Sequence, residues 1–170
     1  MKEVEVKILE INPAAIARKL RRFGARKVFD GILRTIYYDF PKRRLRKKGI
    51  VLRLRTKGGK AELTFKKQLS RGQAKVMREE EIYLDSTKAA EEIFEAVGLK
   101  PVYEFRKRRI SYKLGDVHFE LDFYRGLPPF LEIEGQSFKK VKQWVEKLGF
   151  SMSDAKNWST NGVMRHYGKD

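Results

Sequence analysis

The chain opens with Glu3-Val4-Glu5-Val6-Lys7, in which charged and apolar side chains alternate. In an extended strand successive side chains point to opposite faces, so Glu3, Glu5 and Lys7 share one face while Val4, Val6 and Ile8 share the other. Two carboxylates one strand repeat apart offer hard oxygen ligands to a divalent cation such as Mg²⁺ or Mn²⁺. A lysine one repeat further sets a positive charge beside that cation, an arrangement suited to a metal–polyphosphate complex. A single strand of this kind also describes an ordinary solvated sheet face; recurrence is what gives the pattern weight.

It does recur. Residues 50–57 set Arg53 and Arg55 opposite Leu52 and Leu54, and residues 60–68 set Thr64 and Lys66 opposite Leu63 and Phe65. Residues 75–84 carry Lys75, Glu79, Glu81 and Tyr83 opposite Val76, Ile82 and Leu84. Residues 102–114 carry Lys107, Arg109 and Ser111 opposite Ile110, Tyr112 and Leu114. Residues 117–125 carry His118, Glu120, Asp122 and Tyr124 opposite Val117, Phe119, Leu121 and Phe123, and residues 130–135 repeat the Glu-x-Glu spacing at Glu132 and Glu134. With strands at 2–11 and 32–40, the pattern predicts about eight strands. Short turns join most of them, Gly58-Gly59 and Gly115-Asp116 among them.

Three amphipathic helices punctuate the strands. Asn12-Pro13 starts the first, which carries Ile16, Leu20 and Phe23 on one face and stops at Gly24. Asp85-Ser86-Thr87 opens the second, with Ala90, Ile93, Phe94 and Val97 as its stripe, and Gly98 ends it. The third runs over about 139–148 with Val141, Trp144, Val145 and Leu148 apolar. The tail over 151–170 is polar, and Arg165, His166 and Tyr167 are expected to close a short helix.

Composition bounds the chemistry. At 170 residues the chain is expected to form one domain over 1–170, and it has no cysteine, which excludes disulfides, thiolate metal sites and cysteine nucleophiles. Only two histidines, His118 and His166, are present, too few for a multi-histidine zinc site. Thirty-nine Lys and Arg against 22 Asp and Glu give +17, a balance that favours polyanionic partners; abundant Lys, Arg and Glu without Cys also suits heat adaptation. No apolar run is long enough to span a bilayer and no signal-peptide pattern opens the chain, so a cytoplasmic protein without membrane attachment is expected. Residues 42–49, rich in Lys and Arg, read as a basic loop that could draw in an anion.

An ordinary barrel hides its apolar parity and shows the charged one. Here the apolar parity is bulky and continuous, and three helix stripes each need a partner. The predicted fold is therefore α+β: an eight-stranded antiparallel barrel with helices on its outer, apolar face and the charged parity lining a tunnel. Charges inside a barrel are costly unless paired or bound to ions, so the interior implies a wet tunnel built for a charged ligand. Its acids are Glu3, Glu5, Glu79, Glu81, Glu120, Asp122, Glu132 and Glu134; its bases are Lys7, Arg53, Arg55, Lys66, Lys75, Lys107 and Arg109. Glu80 has the parity of the outer face.

In order along the chain, Glu3-x-Glu5-x-Lys7, Leu52-Arg53-x-Arg55, Leu63-Thr64-Phe65-Lys66, Arg78-Glu79-Glu80-Glu81, Lys107-x-Arg109-x-x-Tyr112, Glu120-x-Asp122 and Phe130-Leu131-Glu132-Ile133-Glu134 resemble the motifs of the CYTH, or triphosphate tunnel metalloenzyme, superfamily. The resemblance covers roughly residues 2–150. The tail departs from it, with Ser159-Thr160-Asn161-Gly162-Val163-Met164 where family members often carry a Ser-Tyr-containing helix followed by paired leucines.

The resemblance implies an eight-stranded tunnel that binds a triphosphate with Mg²⁺ or Mn²⁺. It implies metal ligation by Glu3, Glu5, Glu132 and Glu134, with Asp122 close by. Phosphate binding would fall to Lys7, Arg53, Arg55, Lys66, Lys107 and Arg109, and catalysis to Glu5 as the group that orients or deprotonates water, with Lys7 beside it. Lys75, Glu79, Glu81 and Glu120 would be further tunnel residues. The family includes inorganic and thiamine triphosphatases, RNA 5′-triphosphatases and class IV adenylate cyclases, so a triphosphatase is the first expectation and cyclisation of ATP the second. A non-catalytic binder of RNA or polyphosphate is the third, with Tyr37, Tyr38, Tyr103, Tyr112 and Tyr124 available to stack on bases. Substrates would be a triphosphate-containing small molecule, such as ATP or thiamine triphosphate, or 5′-triphosphorylated RNA. The protein itself is expected to be a monomer or homodimer.

Overall fold

The computed structural model describes residues 2–57 and 59–169, the side chains of Lys2 and Arg71 excepted. In chain order the described residues form β1 (Lys2–Ile8), α1 (Pro13–Arg22), β2 (Arg26–Asp39), α2 (Arg44–Lys47), β3 (Ile50–Lys57), β4 (Lys60–Arg71), β5 (Lys75–Leu84), α3 (Thr87–Ala96), β6 (Lys100–Leu114), β7 (Val117–Phe123), β8 (Phe130–Gly135), α4 (Phe138–Lys147), β9 (Ala155–Lys156) and α5 (Thr160–His166). The strands pair in the order β5-β4-β3-β2-β6-β7-β8-β1, and β5 pairs again with β1, closing an eight-stranded antiparallel barrel. The extra strand, β9, lies outside the closure and borders the end of β1 through Lys7↔Lys156 and Ile8↔Ala155.

The main apolar core lies outside the barrel wall. Val4, Val6, Ile8, Phe119, Leu121, Leu131 and Ile133 pack under Ile16 and Leu20 of α1 and Val141 and Val145 of α4. Ile36, Tyr38 and Leu54 form a second cluster with Ala90 and Phe94 of α3. Fully burying each such side chain is worth roughly 1.5–3 kcal/mol, which is why the helix stripes fix the face on which each strand shows its apolar parity. Local signals set the helix starts: Asn12, Ser86 and Ser137 each accept a hydrogen bond from the backbone N–H three residues on.

The inside-out alternation holds strand by strand. Val4, Val6, Leu54, Phe119, Leu121 and Ile133 are buried against the outer helices, and Leu52 packs partly into the α3 cluster while also bordering the interior. Element ends differ from the sequence reading. β1 stops at Ile8, and β2 starts six residues earlier than the apolar run suggested, because Arg26–Ile32 pairs along β6. The basic stretch is not an open loop. Pro41–Arg43 makes a 3₁₀ turn that runs into α2. The Asp39 carboxylate accepts hydrogen bonds from Leu45 N–H (2.8 Å) and Arg46 N–H (3.1 Å), holding Lys42 and Arg43 in left-handed conformations, φ 62° and 56°. Of the expected Gly58-Gly59 turn, Gly58 lies outside the described residues, and Gly59 has the positive φ of 82° that a tight turn requires. Asp170, at the end of the tail, also lies outside them. The rest of the tail folds back: Val163 of α5 packs on Tyr124 and Phe130, and the Asn157 side chain donates to the Gly72 carbonyl in the β4–β5 connection.

Candidate functional site: a charged tunnel

The barrel encloses a cavity of about 1170 Å³. Its lining reaches from Asp39, Arg43 and Arg46 at one end to Lys113, Asp116 and His118 at the other. Glu3, Glu5, Lys7, Arg53, Arg55, Lys66 and Lys75 all line it. So do Glu79, Glu81, Lys107, Arg109, Glu120, Glu132 and Glu134. Among the sequence-selected residues Asp122 stands apart. It is fully buried behind the cavity wall, with one oxygen 2.6 Å from Arg109 Nε and the other 2.7 Å from Arg109 Nη2 and 2.6 Å from Lys107 Nζ. Both of its oxygens are taken, and its place is that of an anchor for two cations.

The acids converge on one point. Carboxylate oxygens of Glu3, Glu5 and Glu134 lie within 4.8 Å of one another. Register explains the meeting, since Glu5 faces Glu134 across the β1–β8 ladder and Glu3 lies one repeat along. Glu132, the other member of the Glu-x-Glu pair, turns to Lys7 at 2.9 Å and to Arg109 at 3.8 Å. Burial pushes the Glu3 carboxyl up to about 7 even though Lys66 pulls it down, and in its protonated form it donates to Glu79, which is held down to about 2. Burial, together with the nearby Glu3 charge, likewise raises the Glu134 carboxyl well above its usual range, and it hydrogen-bonds Glu132. Burial would raise Glu5 as well, but Lys7 and Lys75 outweigh it and keep that carboxylate ionised. Three crowded carboxylates, two of which are pushed toward holding protons, are a hard-oxygen donor set, and they fit a hard divalent cation.

The bases ring this cluster. Lys66 reaches both Glu3 and Glu79 at 2.8 Å, and Lys75 reaches Glu5 at 2.5 Å. Arg53 and Arg55 share the Glu62 carboxylate, each at 3.2 Å, and Arg53 also donates to Thr64 Oγ1 at 2.9 Å. Even so, the Nε atoms of Arg53 and Arg55 are buried without a hydrogen-bond partner. Lys107 is pushed down to about 8 by burial and by the Arg109 charge, against the pull of Asp122. A tunnel with spare guanidinium donors beside a carboxylate cluster can bind phosphate oxygens and a cation together.

Sequence reasoning passed over Glu62, although it shares the strand face of Thr64 and Lys66 and could have been found by the same parity. The basic stretch over 42–49, expected to draw in an anion, contributes Arg43 and Arg46 to the cavity lining, but sequence reasoning passed over Ser159, Thr160, Asn161 and Arg165 around α5, which line the same cavity. Tyr37 and Tyr103, weighed above as stacking residues, do line the tunnel; Tyr38 packs into the α3 cluster while also bordering the cavity, Tyr112 belongs to the outer core and Tyr124 is buried beneath α5.

The model of one family, the CYTH domain, matches residues 1–167. A protein of Methanocaldococcus jannaschii named as an adenylate cyclase candidate is 28% identical over 134 residues, 79% of this chain and 77% of its own. Among solved structures, the PH1012 protein of Pyrococcus horikoshii is 27% identical at a TM-score of 0.78, with 95% of this chain and 98% of that one covered. The fold extends further, to a Hippeastrum protein, HpAC1, with a TM-score of 0.69, 16% identity and 99% and 97% coverage of the two chains; that protein is described as having a dominant triphosphatase activity.

Proposed function

The chain belongs to the CYTH domain family, and from that premise we propose that it is a divalent-metal-dependent triphosphatase, hydrolysing a triphosphate inside the barrel. The observation that carries this reading is the meeting of opposite chemistries in one cavity: the Glu3, Glu5 and Glu134 carboxylates on one side, and the unpartnered Nε donors of Arg53 and Arg55 on the other. The triphosphatase activity described for HpAC1 is consistent with it.

Glu3, Glu5 and Glu134 would hold the cation, whose contribution when bound is to neutralise charge on the phosphate oxygens. The phosphate chain lies along Arg53, Arg55, Lys66 and Arg109, with Lys7 and Lys107 within reach, and these cations stabilise charge that builds up as the terminal phosphoryl group is transferred. In the free protein most of them are held by carboxylates; phosphate oxygens take over those partnerships when substrate binds. Glu5, kept ionised by Lys7 and Lys75, is the group suited to orient the attacking water and accept its proton. Asp122 holds Arg109 and Lys107 in position from behind.

The rival is cyclisation of ATP, favoured by the name of the Methanocaldococcus jannaschii relative. One screen separates the readings. Orthophosphate, pyrophosphate and cyclic AMP are measured with inorganic triphosphate, ATP, thiamine triphosphate and 5′-triphosphorylated RNA, each with Mg²⁺ and with Mn²⁺. Metal-dependent orthophosphate release is the expected result. Cyclic AMP and pyrophosphate as the main products would replace the reading with the cyclase. Binding without turnover on every substrate would leave a passive polyanion binder.

A further inference from the structure

The cavity opens at both ends, since exposed residues line each: Arg43, Arg46 and Arg165 on the α2–α5 side, and Lys113 and Gly115 on the other. Between the mouths each lysine and arginine of the lining is in an ion pair. Lys7 meets Glu132, Lys66 meets Glu3, Lys75 meets Glu5, Arg53 and Arg55 meet Glu62, and Lys107 and Arg109 meet Asp122. The mouth away from α2 and α5 differs. Lys57, Lys113 and His118 line it, and none of the three forms an ion pair with another described residue. Register brings them together. Lys113 faces His118 across β6–β7, and the Lys57 ammonium lies 5.0 Å from the centroid of Phe29, which faces Ser111, one strand repeat from Lys113.

Burial pushes the His118 imidazole down, and Lys113 and Lys57 push it further against the pull of Glu120, so both ammonium charges are felt at the ring. Asp116, at the rim, is already held by Lys140 at 2.7 Å. Neighbouring cations without a counter-charge repel one another and add nothing to the fold, whereas an oxyanion among them relieves the repulsion. This mouth is also close to the proposed chemistry. Glu134 faces His118 across β7–β8, so the carboxylate cluster begins one cross-strand pair away, about 5 Å. The α2–α5 mouth, with Arg43, Arg46 and Arg165, is suited to drawing substrate in. A second basic mouth beside the carboxylates is suited to what hydrolysis leaves there.

Resting on the triphosphatase reading, we infer that Lys57, Lys113 and His118 form a product subsite, which takes the orthophosphate cut from the triphosphate and passes it out at the end of the tunnel away from α2 and α5. When water adds to the terminal phosphorus, the bridging P–O bond breaks with its electrons on the remaining diphosphate, and the water's proton goes to Glu5. The new orthophosphate then lies between carboxylates that repel it and two ammonium groups that attract it. Lys57 and Lys113 supply charge-assisted N–H donors, and His118 and Gln136, on the same wall, supply neutral ones.

Two measurements test the subsite. In EDTA, with saturating inorganic triphosphate holding the middle of the tunnel, orthophosphate is titrated into the protein by calorimetry. With Mg²⁺ or Mn²⁺, orthophosphate is added during hydrolysis of inorganic triphosphate, and its inhibition pattern is read from pyrophosphate formation. The proteins are the wild type, the double variant Lys57→Gln and Lys113→Gln, and the charge-keeping Lys113→Arg. Orthophosphate should bind the triphosphate-loaded wild type and inhibit it without competing with triphosphate. The double variant should bind orthophosphate at least roughly tenfold more weakly, with only competitive inhibition left, and Lys113→Arg should keep most of the affinity. Orthophosphate binding that triphosphate abolishes in the wild type, or an unchanged affinity in the double variant, would overturn the subsite while leaving the triphosphatase intact. Cyclic AMP and pyrophosphate as the products from ATP, or no turnover of any triphosphate, would remove the triphosphatase reading and the subsite with it. Thermal melts separate a lost contact from a lost fold, and Lys113→Gln alone, at an exposed position, carries the test if the double variant does not fold.

Discussion

The carboxylate cluster makes a prediction whose sign and size can be worked out before any activity is measured. Glu3 carries an ordinary carboxyl value of 4.5 in the unfolded chain and about 7 in the folded tunnel, pushed up mainly by burial, with Glu5 and Glu79 adding to the rise and Lys66 opposing it. A raised carboxyl binds its proton more tightly in the folded state. Stability is therefore greatest at and below pH 4.5, falls as pH rises from 4.5 to 7, and stays at the lower level above that. A separation of this size corresponds to about 3 kcal/mol. In Glu3→Gln the amide imitates the protonated acid at every pH and can still donate to Glu79, so the penalty never develops. Urea titrations without metal should find the two proteins equally stable near pH 4.5 and the variant more stable by about 3 kcal/mol at pH 8, a midpoint shift of roughly 1–3 M. Excess Mn²⁺ or Mg²⁺ at pH 8 should close the gap, because the cation replaces the proton in the wild type and the variant has lost one of its three ligands. A stability difference that does not change with pH, or a variant less stable than the wild type at pH 8, would refute the claim that the cluster is strained by its own charge.

Lys107, brought down to about 8 by burial and by Arg109, should make metal-free triphosphate affinity fall as pH rises from 7 to 9, and Lys107→Arg, which keeps its charge, should flatten that profile when titrated by calorimetry. Glu62→Gln removes the carboxylate that Arg53 and Arg55 share, so the ligand-free protein should lose roughly 3–5 kcal/mol in urea melts, and saturating triphosphate should restore most of it by taking the same guanidinium donors. The double variant Glu132→Gln and Glu134→Gln should lose turnover by orders of magnitude but keep metal-free triphosphate binding, since Arg53, Arg55 and Lys66 remain; unchanged hydrolysis in a phosphate-release assay would end the metal assignment.

The barrel was legible because its two faces obey one rule with period two. Slipping any strand by one residue would carry Glu5 or Arg53 into the α1–α4 or α3 core, so parity alone ties charge to the interior across the strands. Parity gives a face, however, and not a height along the tunnel or a partner. Asp122 has the parity of Glu120 and Tyr124, yet it is sealed from the cavity because Arg109 and Lys107 close over it. Aromatic residues occur at both parities, Tyr37 lining the tunnel and Tyr38 packing into the α3 cluster while still bordering the cavity, so which rings reach the interior emerges only when β2, β3 and β6 are set in register. The tail carries no periodic signal: β9 is two residues long, and what holds α5 is packing of Val163 against the Tyr124 and Phe130 rings, far earlier in the chain. The segment around α2 read as a loop because its order comes from one carboxylate, Asp39, capping two backbone amides rather than from any apolar stripe.

A second physical consequence follows from putting charge inside. Buried ion pairs seldom stabilise a fold relative to apolar residues of similar size, because desolvation offsets most of the attraction. The outer cores beneath α1, α3 and α4 therefore have to carry the stability of the barrel, while the tunnel lowers it. The interior pairs are also mismatched in a telling way: Lys66 divides itself between Glu3 and Glu79, Glu62 serves two guanidinium groups, and Glu3 and Glu134 each also hydrogen-bond another acid. An interior selected for stability alone would pair one to one or be apolar. Shared partners are easily exchanged, since each cation that gives up a carboxylate to a phosphate oxygen frees that carboxylate for a metal ion. On the proposed function, the same side chains would account both for a tunnel that is tolerable without substrate and for one that gains on both charges when a metal-bound triphosphate enters.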